Sequence, residues 1–274
     1  MHRVFPKLVL VFVIAQFFGV WAGAYLIGEI ETGEMERPTI LTENPDDPVN
    51  ALALIGGIFG FTALLLVFLF FFKGVGFFRV FEVLVIFSGS FIVFSSIVPE
   101  AAFLLAVELV MLKLFFPQNL WIRNISALIA VAGVGALVGV SLGIIPVLIF
   151  LILLSVYDFI AVFKTKHMVK LAKGISGKNL AFTVALPTKE HQFELGTGDL
   201  VLPLVFAVSA MDSSKSLGFP LCTVPAFMIL VASLVGLLLT INYVRKHVGK
   251  ALPALPPQVA LMIIAWLASK AIFP

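Results

Sequence analysis

The sequence contains a single cysteine, Cys222, and a lone cysteine excludes an internal disulfide. The four histidines are scattered and show no spacing typical of metal ligands, so we predict no metal site and no cofactor. Charged residues make up only 12% of the chain, whereas about a quarter is usual in soluble globular proteins. This composition argues against a soluble protein, and no nucleic-acid-binding pattern accompanies it.

Hydrophobic residues dominate instead, at 61% of the chain with a mean hydropathy of +1.15. A hydrocarbon core about 30 Å thick is crossed by about 20 apolar residues of α-helix. Nine apolar runs approach that length, and they cover residues 8–27, 49–72, 80–98, 101–116, 124–143, 144–163, 199–213, 220–241 and 256–272. The sequence therefore predicts an all-α polytopic membrane protein with nine transmembrane helices.

The first apolar run has an alternative interpretation as a secretory leader, because Ala22-Gly23-Ala24 resembles a small-residue cleavage site. Leaders usually carry an apolar stretch of about 7–15 residues. The run at 8–27 is longer than that, so we expect it to be retained as a helix.

Lysine and arginine are distributed unevenly between the loops that join these runs. With a cytoplasmic N-terminus and nine crossings, fourteen of the 18 lysine and arginine residues fall on the cytoplasmic side. Those on the outer side are Arg37, Lys215 and Lys270. Cytoplasmic loops of membrane proteins are enriched in these residues. We therefore predict a cytoplasmic N-terminus and an external C-terminus.

Two aspartates stand in or directly against apolar runs. Asp158 lies near the end of the sixth run, and Asp199 opens the seventh. An ionisable group within a bilayer costs about 2.5–3.5 kcal/mol on insertion scales, so such residues are usually functional. In the predicted topology both lie near the cytoplasmic ends of consecutive antiparallel helices, where their carboxyl groups can face each other.

Two facing carboxyl groups fit the chemistry of aspartic proteases. At close separation both cannot ionise, so the pair shares one proton. The ionised member takes a proton from water, while the protonated member polarises the carbonyl of the peptide bond. Each aspartate alone has a simpler interpretation: Asp158 makes a static contact with a lysine or with backbone, and Asp199 is the N-cap of the seventh helix.

Three short motifs accompany the aspartates. They are Tyr157-Asp158 in the sixth run, Gly196-Thr197-Gly198-Asp199 at the start of the seventh, and Pro253-Ala254-Leu255 before the ninth. In this order they resemble the YD, GxGD and PAL motifs of presenilins and signal peptide peptidases, and the resemblance covers all nine runs. The compact loops and the predicted orientation make the chain most similar to a microbial presenilin homologue.

The resemblance implies an intramembrane aspartyl protease, a hydrolase whose catalytic pair is Asp158 and Asp199. It also implies active-site or substrate-contact roles for the other motif residues, which are Tyr157, Gly196, Thr197, Gly198, Pro253, Ala254 and Leu255. The expected substrates are transmembrane helices of other proteins, within the lipid bilayer of a microbial plasma membrane. Assembly as a homo-oligomer and a requirement for partner subunits stay open.

We expect three parts along the chain. Residues 1–163 form a six-helix membrane part with the YD motif, residues 164–198 a basic cytoplasmic loop, and residues 199–274 a three-helix part with the GxGD and PAL motifs. The loop is short and lacks an extended apolar insertion. The self-cleavage that the family performs in this loop is therefore not carried over to this chain.

Prolines lie close to both aspartates. Pro253, Pro256 and Pro257 favour extended backbone before them, so we predict that the ninth helix begins near Pro257 and leaves residues 253–255 extended. This stretch and the loop before Gly196 are candidates to pair with an unwound substrate strand. Pro203 removes the helical hydrogen bond that would otherwise reach the Asp199 carbonyl.

The chief alternative is a proton- or cation-coupled transporter or channel that uses the same carboxylates. Such proteins are built from repeats with interrupted helices in matching positions. No such repeat is visible in the sequence, and the two aspartates belong to adjacent runs. A purely structural or assembly role is a third alternative.

Overall fold

The computed structural model describes residues 4–71, 76–162, 183–187, 192–246 and 253–272. Within these ranges the helices are α1 (Val4–Thr32), α2 (Val49–Phe71), α3 (Gly76–Ser95), α4 (Ala102–Phe115), α5 (Leu120–Ser141), α6 (Ile144–Ile160), α7 (Gly198–Ser213), α8 (Thr223–Lys246) and α9 (Leu255–Ile272). Short 3-10 turns at Pro99–Ala101 and Lys215–Leu217 precede α4 and follow α7. The lysine-rich part of the predicted loop, residues 164–182, lies outside the described residues.

Each predicted apolar run overlaps one of these helices, and the chain is mostly helical as expected. By length and composition, four of the described helical stretches can cross a membrane. They are Phe5–Thr32, Leu120–Ser141, Thr223–Tyr243 and Leu255–Ile272. These features indicate an integral membrane protein, whereas the count of nine crossings stays a prediction.

A small antiparallel hairpin departs from the all-α prediction. Strand β1 (Thr183–Pro187) pairs with strand β2 (Gln192–Gly196), with Val184 opposite Leu195. The side chains of Val184, Leu186 and Leu195 are buried in one apolar cluster that also contains residues of α1, α5 and α7. The hairpin is therefore stabilised by packing against the helices, since an isolated two-stranded hairpin is only marginally stable in water.

Helix α7 runs through the centre of the bundle. Its residues Leu204 and Val208 are fully buried. A Cβ atom placed at Gly135 would come within 2.6 Å of Leu204, and one at Gly139 within 2.6 Å of Val208. The two glycines of α5 therefore allow α7 to approach closely, and this contact fixes the helix that begins beside Asp199.

The loop between α1 and α2 folds across one end of the bundle. Arg37 donates two hydrogen bonds, of 2.8 and 3.2 Å, to the carboxylate of Asp212 near the end of α7. It also donates to the carbonyl of Val140 at 2.7 Å. The amide of Gly143 donates to the carbonyl of Pro45 at 2.8 Å. This end is opposite to the one where α6 ends and α7 begins.

Candidate active site

Asp158 lies in the last turn of α6 and is partly buried. Its Oδ2 atom accepts a hydrogen bond from the backbone amide of Leu255 at 3.2 Å, and the amide of Ala254 also donates to this carboxyl group. The first amides of a helix have no partner within the helix and carry its positive end. The backbone amides at the start of α9 therefore form a binding site for the Asp158 carboxyl group.

Asp199 lies in the first turn of α7, which begins at Gly198. Strand β2 ends at Gly196, so the hairpin leads directly into this turn. The N-cap of α7 is Thr197, and the interpretation of Asp199 as a simple N-cap is therefore wrong. The carboxyl group of Asp199 is left available for contacts outside its own helix.

Both aspartates lie beside the first turn of α9, because Asp158 accepts a hydrogen bond from the amide of Leu255 and the backbone carbonyl of Asp199 accepts one from Gln258. No described lysine or arginine forms a salt bridge with either of them. Of the two static contacts predicted as alternatives for Asp158, the described residues therefore show the one with backbone, at Leu255, and none with a lysine.

The PAL residues lie beside this pair, with one correction. Helix α9 begins at Leu255, so the prediction that residues 253–255 are all extended and that the helix starts near Pro257 is wrong. Pro256 and Pro257 fit in the first turn because amide hydrogens there have no helical acceptor. The early start of the helix is what directs the Leu255 amide at Asp158.

The remaining motif residues occupy different surroundings. A Cβ atom at Gly196 would lie 3.6 Å from Oδ2 of Asp199, so Gly196 borders the site, whereas one at Gly198 would meet nothing within 4 Å in the described structure. The ring of Tyr157 packs edge to face on Phe59 of α2, with 5.0 Å between the ring centroids. Tyr157 therefore joins α6 to α2.

Two polar residues near the site have no counterpart in the sequence prediction. The Nε2 atom of Gln258, in α9, donates to the backbone carbonyl of Asp199 at 3.3 Å. The side chain of Asn124, in α5, makes two hydrogen bonds to the backbone of Ala185 in β1, of 2.7 and 2.9 Å. In the sequence, each of these residues stands out only as a carboxamide side chain within an apolar run. Their hydrogen-bond partners are distant along the chain, so the sequence does not identify them.

The described residues hold no group of three or more His, Cys, Asp and Glu side chains arranged to bind a metal ion.

The fold is shared with known proteins. Over residues 9–272 the chain matches the family model described as signal-peptide peptidase, presenilin aspartyl protease. A solved structure of a presenilin family intramembrane aspartate protease in space group C222 is 25% identical, with a TM-score of 0.70 over 98% of this chain and 99% of that one. A structure of a presenilin family intramembrane aspartate protease in space group P2 is also 25% identical, with a TM-score of 0.68 over 96% of each chain.

A comparison with curated proteins gave no match. The family model nevertheless spans nearly the whole sequence, and the similar structures cover the chain from end to end. The chain belongs to the signal-peptide peptidase and presenilin family of intramembrane aspartyl proteases.

Proposed function

We propose that Asp158 and Asp199 are the catalytic pair with which this intramembrane aspartyl protease hydrolyses peptide bonds in transmembrane helices of other proteins. The observation that carries the proposal is that the first turn of α9 contacts both aspartates: the amide of Leu255 donates to the carboxyl group of Asp158 at 3.2 Å, and Gln258 donates to the backbone carbonyl of Asp199 at 3.3 Å. A pair of this kind holds one proton between two carboxyl groups.

The ionised member of the pair takes a proton from a water molecule, and that water attacks the carbonyl carbon of the peptide bond. The protonated member donates a hydrogen bond to the carbonyl oxygen, where negative charge develops. Transfer of a proton to the leaving nitrogen then breaks the C–N bond and gives a carboxylic acid and an amine. No covalent intermediate with the enzyme is needed.

The hairpin offers the substrate an edge. In β1, the N–H and C=O groups of Ala185 are both bonded to Asn124, so they point away from β2. Glu194 is opposite Ala185, and its backbone groups therefore point away from β1. We propose that an unwound substrate strand pairs with this outer edge of β2, which leads to Asp199. The edge of β1 is already occupied by α5 at Ala185.

Replacing Asn124 by leucine tests the role of the hairpin. Leucine has nearly the same shape but cannot form hydrogen bonds with Ala185. Two hydrogen bonds of about 1 kcal/mol each are lost, so we expect KM for a membrane substrate to rise up to about 30-fold and the position of the cut bond to become less uniform. Product mass spectrometry and initial rates provide the measurement. The neighbouring salt bridge of Arg123 with Glu194, at 3.5 Å, would remain. An unchanged KM and a single cut bond would contradict this role.

The position of the pair predicts where a substrate is cut. We propose nine crossings with a cytoplasmic N-terminus, which puts the end of α6 and the start of α7 near the cytoplasmic face. A single-span substrate should therefore be cut in the cytoplasmic half of its membrane segment. Purified enzyme and an oriented substrate in liposomes, with products mapped by mass spectrometry, provide the test. Cuts confined to the outer half would exclude this orientation or this pair.

Further assignments follow from the same proposal. Residues 1–163 and 199–274 would form the two membrane parts that contribute one aspartate each, joined by the basic segment at 164–198. The microbial plasma membrane is the proposed location.

A substrate helix that enters this site displaces lipid and must unwind locally to be cut. Its freed backbone N–H and C=O groups then need hydrogen-bond partners, because unsatisfied groups are costly in hydrocarbon.

A further inference from the structure

The backbone carbonyl of Asp199 lacks its usual partner. In an α-helix a carbonyl accepts a hydrogen bond from the amide four residues later, which for Asp199 is residue 203. That residue is Pro203, which has no amide hydrogen, and it lies inside α7. The carboxamide of Gln258 donates to this carbonyl instead, with 3.3 Å between Nε2 and the oxygen.

Gln258 is held in place from the other side. Its Nε2 atom also bonds the hydroxyl oxygen of Ser233, in α8, at 2.8 Å, and both side chains are completely buried. One turn further along α8, a Cβ atom at Gly236 would lie 2.8 Å from the Cα atom of Gln258. The glycine therefore allows α9 to approach α8 closely enough for these bonds to form.

We propose that Gln258 is a positioning residue for Asp199, because its carboxamide supplies the hydrogen bond that Pro203 cannot give to the Asp199 carbonyl. Leu255 binds the carboxyl group of Asp158, while Gln258, three residues later, fixes the backbone of Asp199. One rigid helical turn thus contacts both aspartates. The inference rests on the proposed catalytic roles of these two residues, and Gln258 itself does not touch the substrate.

Gln16 provides a matched comparison. Gln16, in α1, is also buried, and its Nε2 atom donates to the carbonyl of Leu200 at 2.9 Å. Leu200 is the residue after Asp199 in α7. The residue four positions after Leu200 is Leu204, which has an amide hydrogen. If the Gln16 carboxamide is lost, the Leu200 carbonyl can still accept a hydrogen bond from the helical amide of Leu204. If the Gln258 carboxamide is lost, the Asp199 carbonyl has no such helical donor, because residue 203 is proline.

The test is a double-mutant cycle between Gln258→Met and Pro203→Ala. Methionine keeps the volume but cannot donate, so we expect kcat to fall about tenfold with KM unchanged, as for one lost hydrogen bond to a buried group. Alanine at position 203 restores an amide hydrogen that can bond the Asp199 carbonyl. In the Pro203→Ala background, Gln258→Met should therefore lower kcat by a clearly smaller factor. Gln16→Met, measured for kcat and melting temperature, shows what loss of an equally buried carboxamide does alone.

An equal fall in kcat in both backgrounds, or a change in KM alone, would overturn the proposal. If Gln258→Met fails to fold, Ser233→Ala takes its place in the cycle with Pro203→Ala, with a smaller fall in kcat expected in the unchanged background than for Gln258→Met and a smaller one still beside Pro203→Ala. If Pro203→Ala fails to fold, Ser233→Ala is combined with Gln258→Met instead, where it should cause no further fall in kcat. Melting temperatures of the four proteins test the hydrogen bond independently of turnover. If an Asp199 variant kept its turnover while the effects of Gln258→Met and Pro203→Ala on the melting temperature were not additive, Asp199 would not be catalytic. The hydrogen bond between Gln258 and the Asp199 carbonyl would still be supported.

Discussion

Replacing Asp158 or Asp199 by asparagine is expected to lower kcat/KM for a single-span substrate by about 10⁴-fold or more, because one carboxyl group activates the water and the other polarises the carbonyl group that it attacks, so the two act as a unit. Asparagine keeps the shape of the side chain, and its oxygen can still accept the Leu255 amide that Asp158 binds. The melting temperature should therefore stay close to that of the unchanged enzyme. The double replacement should be no worse than either single one, since residues that act as a unit are not additive.

Asp212→Asn is the matched control for this experiment. Asp212 is on the same helix as Asp199 but at its opposite end, where it pairs with Arg37 at 2.8 Å and with Lys215 at 3.5 Å. Its replacement should lower the melting temperature and leave most of the turnover. Substantial turnover by an Asp158 or Asp199 variant would remove that residue from the mechanism.

The helices were predictable because each of them lies largely within a long apolar run, and a run of that kind in a membrane protein favours an α-helix. The predicted run 49–72 corresponds to α2, Val49–Phe71, and the run 256–272 to α9, Leu255–Ile272. The family assignment was equally accessible, since three short motifs stand in fixed order along the chain. The family match confirms it and leaves the transporter alternative without support.

The hairpin was not predictable from the same pattern. Its strands are five residues long, and their burial depends on packing against α1, α5 and α7. In sequence, the segment reads as a polar loop with a short apolar stretch, and β-propensity is a weak guide when tertiary packing decides. The pairing of Asn124 with Ala185 joins residues 61 positions apart, which local spacing does not reveal.

The start of α9 shows a similar limit. Three prolines near residue 255 argued for an extended stretch, yet proline is well tolerated in the first turn of a helix. The early start places the Leu255 amide against Asp158, 97 residues earlier in the chain, a contact that local sequence does not reveal. The Asp199 carbonyl was the reverse case: Pro203 marked it from sequence as lacking a helical donor, but only the fold identifies Gln258 as its partner.

Replacing Leu255 by proline should lower kcat about 10–100-fold, because it removes the amide that donates to Asp158, and a hydrogen bond to a charged group contributes about 1.5–3 kcal/mol. Leu255 is the first residue of α9, a position where proline fits the helical backbone. The helix should therefore persist, and Ala254 would remain as the other amide donor to the carboxyl group. Initial rates at saturating substrate measure the change.

Leu255→Ala separates the amide from the side chain. Alanine keeps the N–H group but removes the isobutyl group, which packs against the central apolar cluster. This variant should therefore lose stability, seen as a lower melting temperature, while retaining a kcat well above that of the proline variant. Equal values of kcat in the two variants would mean that the side chain matters and the hydrogen bond does not. A lower kcat for proline alone would instead support the start of α9 as the group that holds Asp158 in its reactive position.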